Sequence, residues 1–349
     1  MHVLFTNHRS RDVRRSALAA SHFLHRRVDS VDASDPAARL GLAMSQRLRA
    51  DLAFGLCTLI WGATFALVKD ALADISVVLY IALRFALSAA LMAVIFWSSL
   101  RRLNRKAVWA GAQIGMAMFG GYMFQTAGLK FTTPAKTAFI TGMCVVLVPL
   151  LLAAFGRRRI TPWIWAGAAT ALAGLYFLTV PPAGFGALNR GDPIVFGCAV
   201  MFALHIILIG RYVAEHSVGA LAFLQVATTA ALSAFALPIA LFAGWEKPHI
   251  VWNTTVIVAL LVTSVGSTVI GFSLQTWAQQ HTSPSHTAIL VTLEPVFAAL
   301  TSWIFALERF GARTLVGAGL ILVGILFAEL KGPAPTIPES PEPIAGPIE

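Results

Sequence analysis

The segment QTAGLKFTTPAKTA, Gln125–Ala138, decides the fold because it returns as QTWAQQHTSPSHTA, Gln275–Ala288. Gln125-Thr126, Thr133-Pro134 and Thr137-Ala138 recur as Gln275-Thr276, Ser283-Pro284 and Thr287-Ala288, each 150 positions on and without a gap. Gly167 and Gly174 recur at the same spacing as Gly317 and Gly324. Earlier in the chain, Gly55 and Lys69 match Gly197 and Arg211 at a spacing of 142. Arg84 aligns with Gln225 at 141, where Ser88-Ala89-Ala90-Leu91 faces Thr229-Ala230-Ala231-Leu232. Chance similarity between apolar segments explains shared Leu and Ala. It does not explain polar and proline pairs kept in one register.

The solvent for these segments follows from composition. Of 349 residues, 57% are hydrophobic and only 12% charged, against about a quarter charged in a soluble domain. A mean hydropathy of +0.75 places much of the chain in lipid. From 51 to 330, runs of roughly 20 apolar residues alternate with short polar breaks. Spans are expected near 52–69, 76–98, 107–128, 134–155, 163–180, 192–210, 221–242, 256–277, 286–306 and 314–330. The expected fold is an all-α integral membrane protein: ten transmembrane helices in two five-helix repeats, residues 51–180 and 190–330. Five is odd, so the second copy enters the membrane from the opposite face and the repeats are inverted. Many secondary transporters share that architecture and open alternately to either side.

The flanks differ. Residues 1–50 form a basic tail with nine arginines and four Asp and no apolar run of spanning length. It reads as disordered, or as sequence upstream of a true start at Met44; its acidic residues count against a mitochondrial presequence. Residues 331–349, with six prolines and three glutamates after Lys331, cannot build a core and read as disordered. Ala71-Leu72-Ala73 resembles a signal cleavage site, but the preceding run is long for a signal peptide and Lys69-Asp70 interrupts it.

The net charge of +10 does not mark a nucleic-acid groove, because it sits in the tail and in short loops. Arg101, Arg102, Arg105 and Lys106 in the second loop, and Arg157, Arg158 and Arg159 in the fourth, share a side with the basic tail. The positive-inside rule puts that side, and both termini, in the cytoplasm of a cell inner membrane. Arg309 and Arg313 fall outside on this topology, so the first five spans carry it. Cys57, Cys144 and Cys198 lie within apolar runs at spacings that suit neither a disulfide framework nor a metal.

Trp61-Gly62 followed by Lys69 and then Leu83-Arg84-Phe85 resembles the start of the EamA-like domain of the drug/metabolite transporter superfamily. Glu294-Pro295-Val296-Phe297, followed by Leu307-Glu308-Arg309 and by Gly317 and Gly324, is similar to it as well. The resemblance spans about residues 51–330, both copies. It implies two inverted repeats around a central substrate cavity, and transport of amino acids, other metabolites or drugs, usually outward. The first copy departs from the pattern: Arg158 stands where the family often has a glutamate, and Pro149 lies one turn beyond the usual proline.

Ionisable groups at mid-membrane depth cost about 2.5–3.5 kcal/mol on insertion scales and are functional candidates by default. Arg84 lies about eight residues into the second expected span and Glu294 about eight into the ninth. Glu294 corresponds to Cys144, and Arg84 to Gln225, so neither charge is repeated in the other copy. Both readings stay open: structural partners for each other, or contacts for substrate or proton. Pro295 removes a backbone donor and frees a carbonyl near Val291, which predicts a kink and a hinge; Pro149 is the corresponding candidate in the first copy.

The segments holding Gln125 and Gln275 read as gates at opposite faces, with Lys136 and His286 in equivalent places, or as well-capped tight turns. Trp61 can stack a substrate, although interfacial anchoring is the commoner use of such a tryptophan. His205 is alone in the sixth expected span and reads as a packing histidine or a proton carrier.

No nucleophile elbow, Walker loop or metal-ligand spacing occurs, and no cofactor is implied. The expected function is secondary transport of a small metabolite or drug-like molecule, as an exporter, with protons as the candidate coupling ion. An importer of the same fold is the near alternative, and a non-transporting lipid-handling or sensory membrane protein the distant one. The expected partners are the small-molecule substrate and membrane lipids, not nucleic acid, with the chain a monomer or homodimer.

Overall fold

A computed structural model describes residues 45–155, 160–184, 186, 189–304 and 311–331. The tails, Arg157–Arg159 and Leu307–Arg309, each given a role above, lie outside the described residues. Helix α1 runs Gln46–Ala71, α2 Val77–Ile95, α3 Trp97–Leu100, α4 Arg105–Leu129, α5 Pro134–Gly142, α6 Cys144–Ala154 and α7 Pro162–Thr179. Then follow α8 Gly191–Tyr212, α9 Val218–Phe242, α10 Thr254–Val262, a π-helical stretch Thr263–Ile270, and α11 Gly271–Ala278. The last are α12 Pro284–Val291, α13 Leu293–Ile304 and α14 Ala312–Lys331. Among the described residues there is no strand, only one antiparallel bridge between Ile75 and Ile250.

Six segments are long and apolar enough to cross a membrane: Gln46–Ala71, Val77–Ile95, Lys136–Ala154, Gly191–Tyr212, Val218–Phe242 and Thr254–Ala278. The other expected spans fall on helices that are diluted, short or interrupted. Helix α4 opens on Arg105-Lys106 and carries several glycines, α12 and α13 are separated at Thr292, and α14 offers a shorter apolar stretch, Ala312–Ala328. Large apolar side chains cover the outside. Val94, Phe235, Leu261 and Leu322 are all exposed, a surface that only lipid would solvate well.

Local chemistry sets the helix starts. Asn104, Ser217 and Asn253 each accept a hydrogen bond from the backbone N–H three residues on, capping α4, α9 and α10. Thr133 and Ser283 do the same for Lys136 and His286, with Pro134 and Pro284 at the first helical position. The two copies of the quoted segment therefore begin their second helix with the same device.

Small residues set the closest approaches. A Cβ on Gly167 would lie 2.7 Å from the Gly324 carbonyl oxygen, and one on Gly174 would lie 2.6 Å from that of Gly317. The spacing of 150 pairs these glycines the other way, Gly167 with Gly317 and Gly174 with Gly324. Helices α7 and α14 thus cross with their equivalent positions exchanged.

Contacts near the helix termini define two ends of the bundle. Lys69, at the end of α1, donates to the Leu129 carbonyl at the end of α4 (2.7 Å), and Gly128 packs on Gly191 at the start of α8. At the other end, Gln280 donates to the Val213 carbonyl just past α8 (3.2 Å), and Gly210 packs on Pro284 at the start of α12. Asp51 and Lys69 stand 18 residues apart on α1, which the helical rise converts to about 27 Å.

Candidate functional site

Two helix breaks open the middle of the bundle. Helices α5 and α6 meet at Met143, which caps the first and precedes the second; α12 and α13 meet at Thr292, whose N–H turns back to the Ile289 carbonyl. Pro295 lies three residues beyond the second break, where its ring and missing N–H disrupt the preceding turn. Pro149 lies inside α6, which runs through it without interruption.

Beside these breaks is a cavity with about 840 Å³ of empty space, its open mouth included. Of the residues singled out by sequence, Trp61, Arg84, Gln125, Gln275 and Glu294 line it, and His205 joins them. Lys136 and His286 lie elsewhere, each on a buried aspartate contact. Cys144, the counterpart of Glu294, faces the same space.

Arg84 is buried and its geometry is set by neutral partners. Its Nε donates to Thr268 Oγ1 (2.9 Å) and an Nη2 proton to Tyr122 Oη (3.2 Å). The guanidinium carbon lies 4.7 Å from the Tyr122 ring centroid, a cation–π contact that stabilises a desolvated cation. No ion pair joins Arg84 to Glu294 among the described residues, although both side chains face one cavity.

Helix α1 approaches Glu294 through Gly62, whose absent Cβ would collide with the Glu294 carbonyl and with the Ala298 nitrogen at 2.8 Å. That contact gives the Trp61-Gly62 pair a physical reason. Trp61 itself is no interfacial anchor: it is half-buried, packs on Phe272 at 5.3 Å and donates its indole N–H to the Ser267 carbonyl (2.9 Å).

That carbonyl belongs to the π stretch. Wider i→i+5 turns are rare and often mark functional sites, and this one supplies Ser267 to the cavity and Thr268 to Arg84. Ser88 and Ser264 both donate to the Arg84 carbonyl, fixing α2 against the same stretch. His205 Nε2 meets Gln225 Oε1 (2.8 Å), whose amide donates to Thr276 Oγ1 (3.0 Å). Gln225, the uncharged counterpart of Arg84, thus serves a histidine.

Tyr122, Thr268, Asp51 and Asp192 are the site and pairing residues that sequence reasoning did not find. Lys136 Nζ lies 2.8 Å from Asp192 Oδ2 and His286 Nε2 3.1 Å from Asp51 Oδ1. The signal was available for the aspartates, which stand 141 residues apart, the spacing of Arg84 and Gln225.

Comparison with known proteins matches this chain to the model of the EamA-like transporter family twice, over residues 48–180 and 189–330. An uncharacterized transporter of Archaeoglobus fulgidus is 34% identical over 315 residues, covering 89% of this chain and 95% of the relative. The uncharacterized transporter YoaV of Bacillus subtilis is 23% identical, covering 77% of this chain and 92% of that one. A solved crystal structure shares the fold with a TM-score of 0.68 at 22% identity, over 81% of this chain and 96% of the other. Two family matches, a closely similar transporter and apolar helices around a central cavity give one conclusion: the chain is a multi-pass membrane protein of the EamA-like transporter family.

Proposed function

We propose that this protein is a secondary transporter that moves a small polar or amphipathic metabolite, or a drug-like molecule, by alternating access. Ten crossings in two inverted five-helix repeats carry the transport, and the preferred direction is export. Both termini lie in the cytoplasm of a cell inner membrane. One observation carries the reading: Arg84 and Glu294 face a single cavity beside two broken helices without forming an ion pair. Buried unpaired charges are costly, and a site that receives a polar substrate gives them a use. The exchanged glycine contacts between α7 and α14 support the inverted arrangement, because a local twofold axis swaps equivalent positions in this way.

Substrate contacts fall to Arg84, Glu294, Gln125, Gln275 and Trp61, with aromatic walls for apolar parts. Glu294 is the candidate proton carrier, and the breaks at Met143 and Thr292 are the hinges. The test begins with an overexpressing strain screened for tolerance to added metabolites. The solute found there is then loaded into liposomes holding purified protein. Wild-type protein should move it, and Glu294→Gln and Arg84→Gln should insert normally and move it far more slowly. Normal transport by both variants, or no transport by wild type of any solute to which it confers tolerance, would reject the proposal.

A further inference from the structure

Two buried side-chain contacts, the Lys136–Asp192 ion pair and the His286–Asp51 hydrogen bond, are counterparts. Lys136 and His286 stand 150 residues apart and Asp51 and Asp192 stand 141 apart, the two spacings that relate the copies. Each pair joins the halves of the chain crosswise: Lys136 on α5 reaches Asp192 on α8, and His286 on α12 reaches Asp51 on α1. All four side chains are largely buried, the most exposed being Asp51 at 16%. Asp192 is held further by Thr132 Oγ1 (2.9 Å) and the Asn189 N–H (3.0 Å).

Their positions are opposite. Asp192 lies at the start of α8, at the end where α1 and α4 finish, and Asp51 lies at the start of α1, at the end where α8 finishes. Each pair sits on a short helical leg, α5 of nine residues and α12 of eight. Both legs run from a capped turn at one end of the bundle to a break beside the cavity. Thr141 and Cys144 flank the first break and line the cavity, as Val291 and Glu294 do at the second. A leg that pivots at its break must first release its contact with the aspartate.

We propose that Lys136–Asp192 and His286–Asp51 are the two latches of the transporter, each closing one end of the cavity by pinning a pivoting half-helix to the first helix of the other repeat. Opening to one face breaks one latch and keeps the other. The inference rests on the transport reading for its purpose but is tested without substrate. Neutralising both members of a pair avoids stranding a buried charge.

The experiment uses Cys144 as the reporter, in the full chain with Cys57→Ala and Cys198→Ala. Right-side-out and inside-out vesicles are treated with a membrane-impermeant maleimide, and the labelling rate is followed from each side. Lys136→Met with Asp192→Asn should raise the rate several-fold from the side that carries Lys130. Asp51→Asn with His286→Gln should raise it several-fold from the other side only. The exchanged pair Lys136→Asp with Asp192→Lys should restore the wild-type rates.

Unchanged rates in both neutral pairs, or an increase from the same side in both, would overturn the proposal. Where the Lys136/Asp192 neutral pair fails to insert, its exchanged pair decides, and where the Asp51/His286 one fails, Asp51→His with His286→Asp decides: slow labelling supports the latch, and open labelling rejects it. Correct labelling with no solute movement would reject the transport reading and leave the latches standing.

Discussion

Arg84 on α2 and Thr268 in the π stretch are joined across 184 residues by a 2.9 Å hydrogen bond from Nε to Oγ1, and both are buried. Thr268→Val keeps the shape and removes the acceptor, leaving a charged donor unsatisfied. Hydrogen bonds to charged groups contribute about 1.5–3 kcal/mol, so the variant should unfold at a clearly lower temperature in detergent. Thr268→Ser should restore most of the loss, and Tyr122→Phe, whose bond is 3.2 Å, should cost less. Equal stability of Thr268→Val and wild type would show that Arg84 is held by other contacts.

The absence of a direct Arg84–Glu294 pair has its own consequence. Were they structural partners, neutralising both would rescue the loss caused by neutralising one. Without an ion pair to break, Glu294→Gln should not recover the stability lost by Arg84→Gln, nor the reverse. A double-mutant cycle read by thermal unfolding decides this; strong recovery in the double variant would count against the two-charge cavity.

Glycines separate into two kinds. A Cβ on Gly174 meets the Gly317 carbonyl at 2.6 Å, and one on Gly62 collides with the Glu294 carbonyl. Nothing lies within 4 Å of a Cβ on Gly55 or Gly319. Gly62→Ala and Gly174→Ala should therefore lower the yield of folded protein. Gly55→Ala and Gly319→Ala should be neutral or gain up to about 1 kcal/mol from helix propensity. Size-exclusion profiles of tagged variants provide the comparison.

Glu246, in the segment between α9 and α10, gives a pH signature. Burial pushes its carboxyl up, but the Lys130 ammonium at 2.6 Å and the N–H groups of Val77 and Val78 outweigh that and hold it below the ordinary carboxylate value. A lowered folded pKa means stability that is complete above the unfolded value and lost as pH falls through the folded one. Wild type should therefore melt above Glu246→Gln at neutral pH, and the gap should close in acid. A gap that is constant with pH would remove the charge from the explanation.

Much of this was legible beforehand, for physical reasons. The apolar runs became helices because lipid leaves the backbone no other partner, and Thr133-Pro134 and Ser283-Pro284 became caps because those residues satisfy an orphan N–H. Glu294-Pro295 announced a break, which falls at Thr292 because a proline disturbs the turn before it. The cavity takes Trp61, Arg84, Gln125, Gln275, Glu294 and His205 of the named candidates and leaves out Lys136 and His286. An acidic residue near a helix start also suits the helix dipole, so its type alone does not mark Asp51 or Asp192 as a pairing residue. Their partners lie 235 and 56 residues away. Tyr122 and Thr268 looked like ordinary residues of an apolar span, and no composition marks an i→i+5 turn.

The π stretch is where the lengths of the two copies are reconciled. Asn104 caps α4 and Asn253 caps α10 at a separation of 149, while Gln125 and Gln275 are 150 apart. Between cap and glutamine the second copy holds one residue more. In an unbroken α-helix a single insertion rotates everything beyond it by about 100°, which would carry Gln275 and Thr276 away from the places of Gln125 and Thr126. The widened turns at Thr263–Ile270 fall in that interval and take up the surplus, so the far end of the helix stays in phase. Within the π stretch the Ser267 carbonyl is met by the Trp61 indole, and just past it the Gly271 carbonyl by the Cys57 thiol, both from the other copy. The cavity wall at the π stretch thus differs from the regular helix α4 of the other copy, so a bound molecule would meet different partners on its two sides.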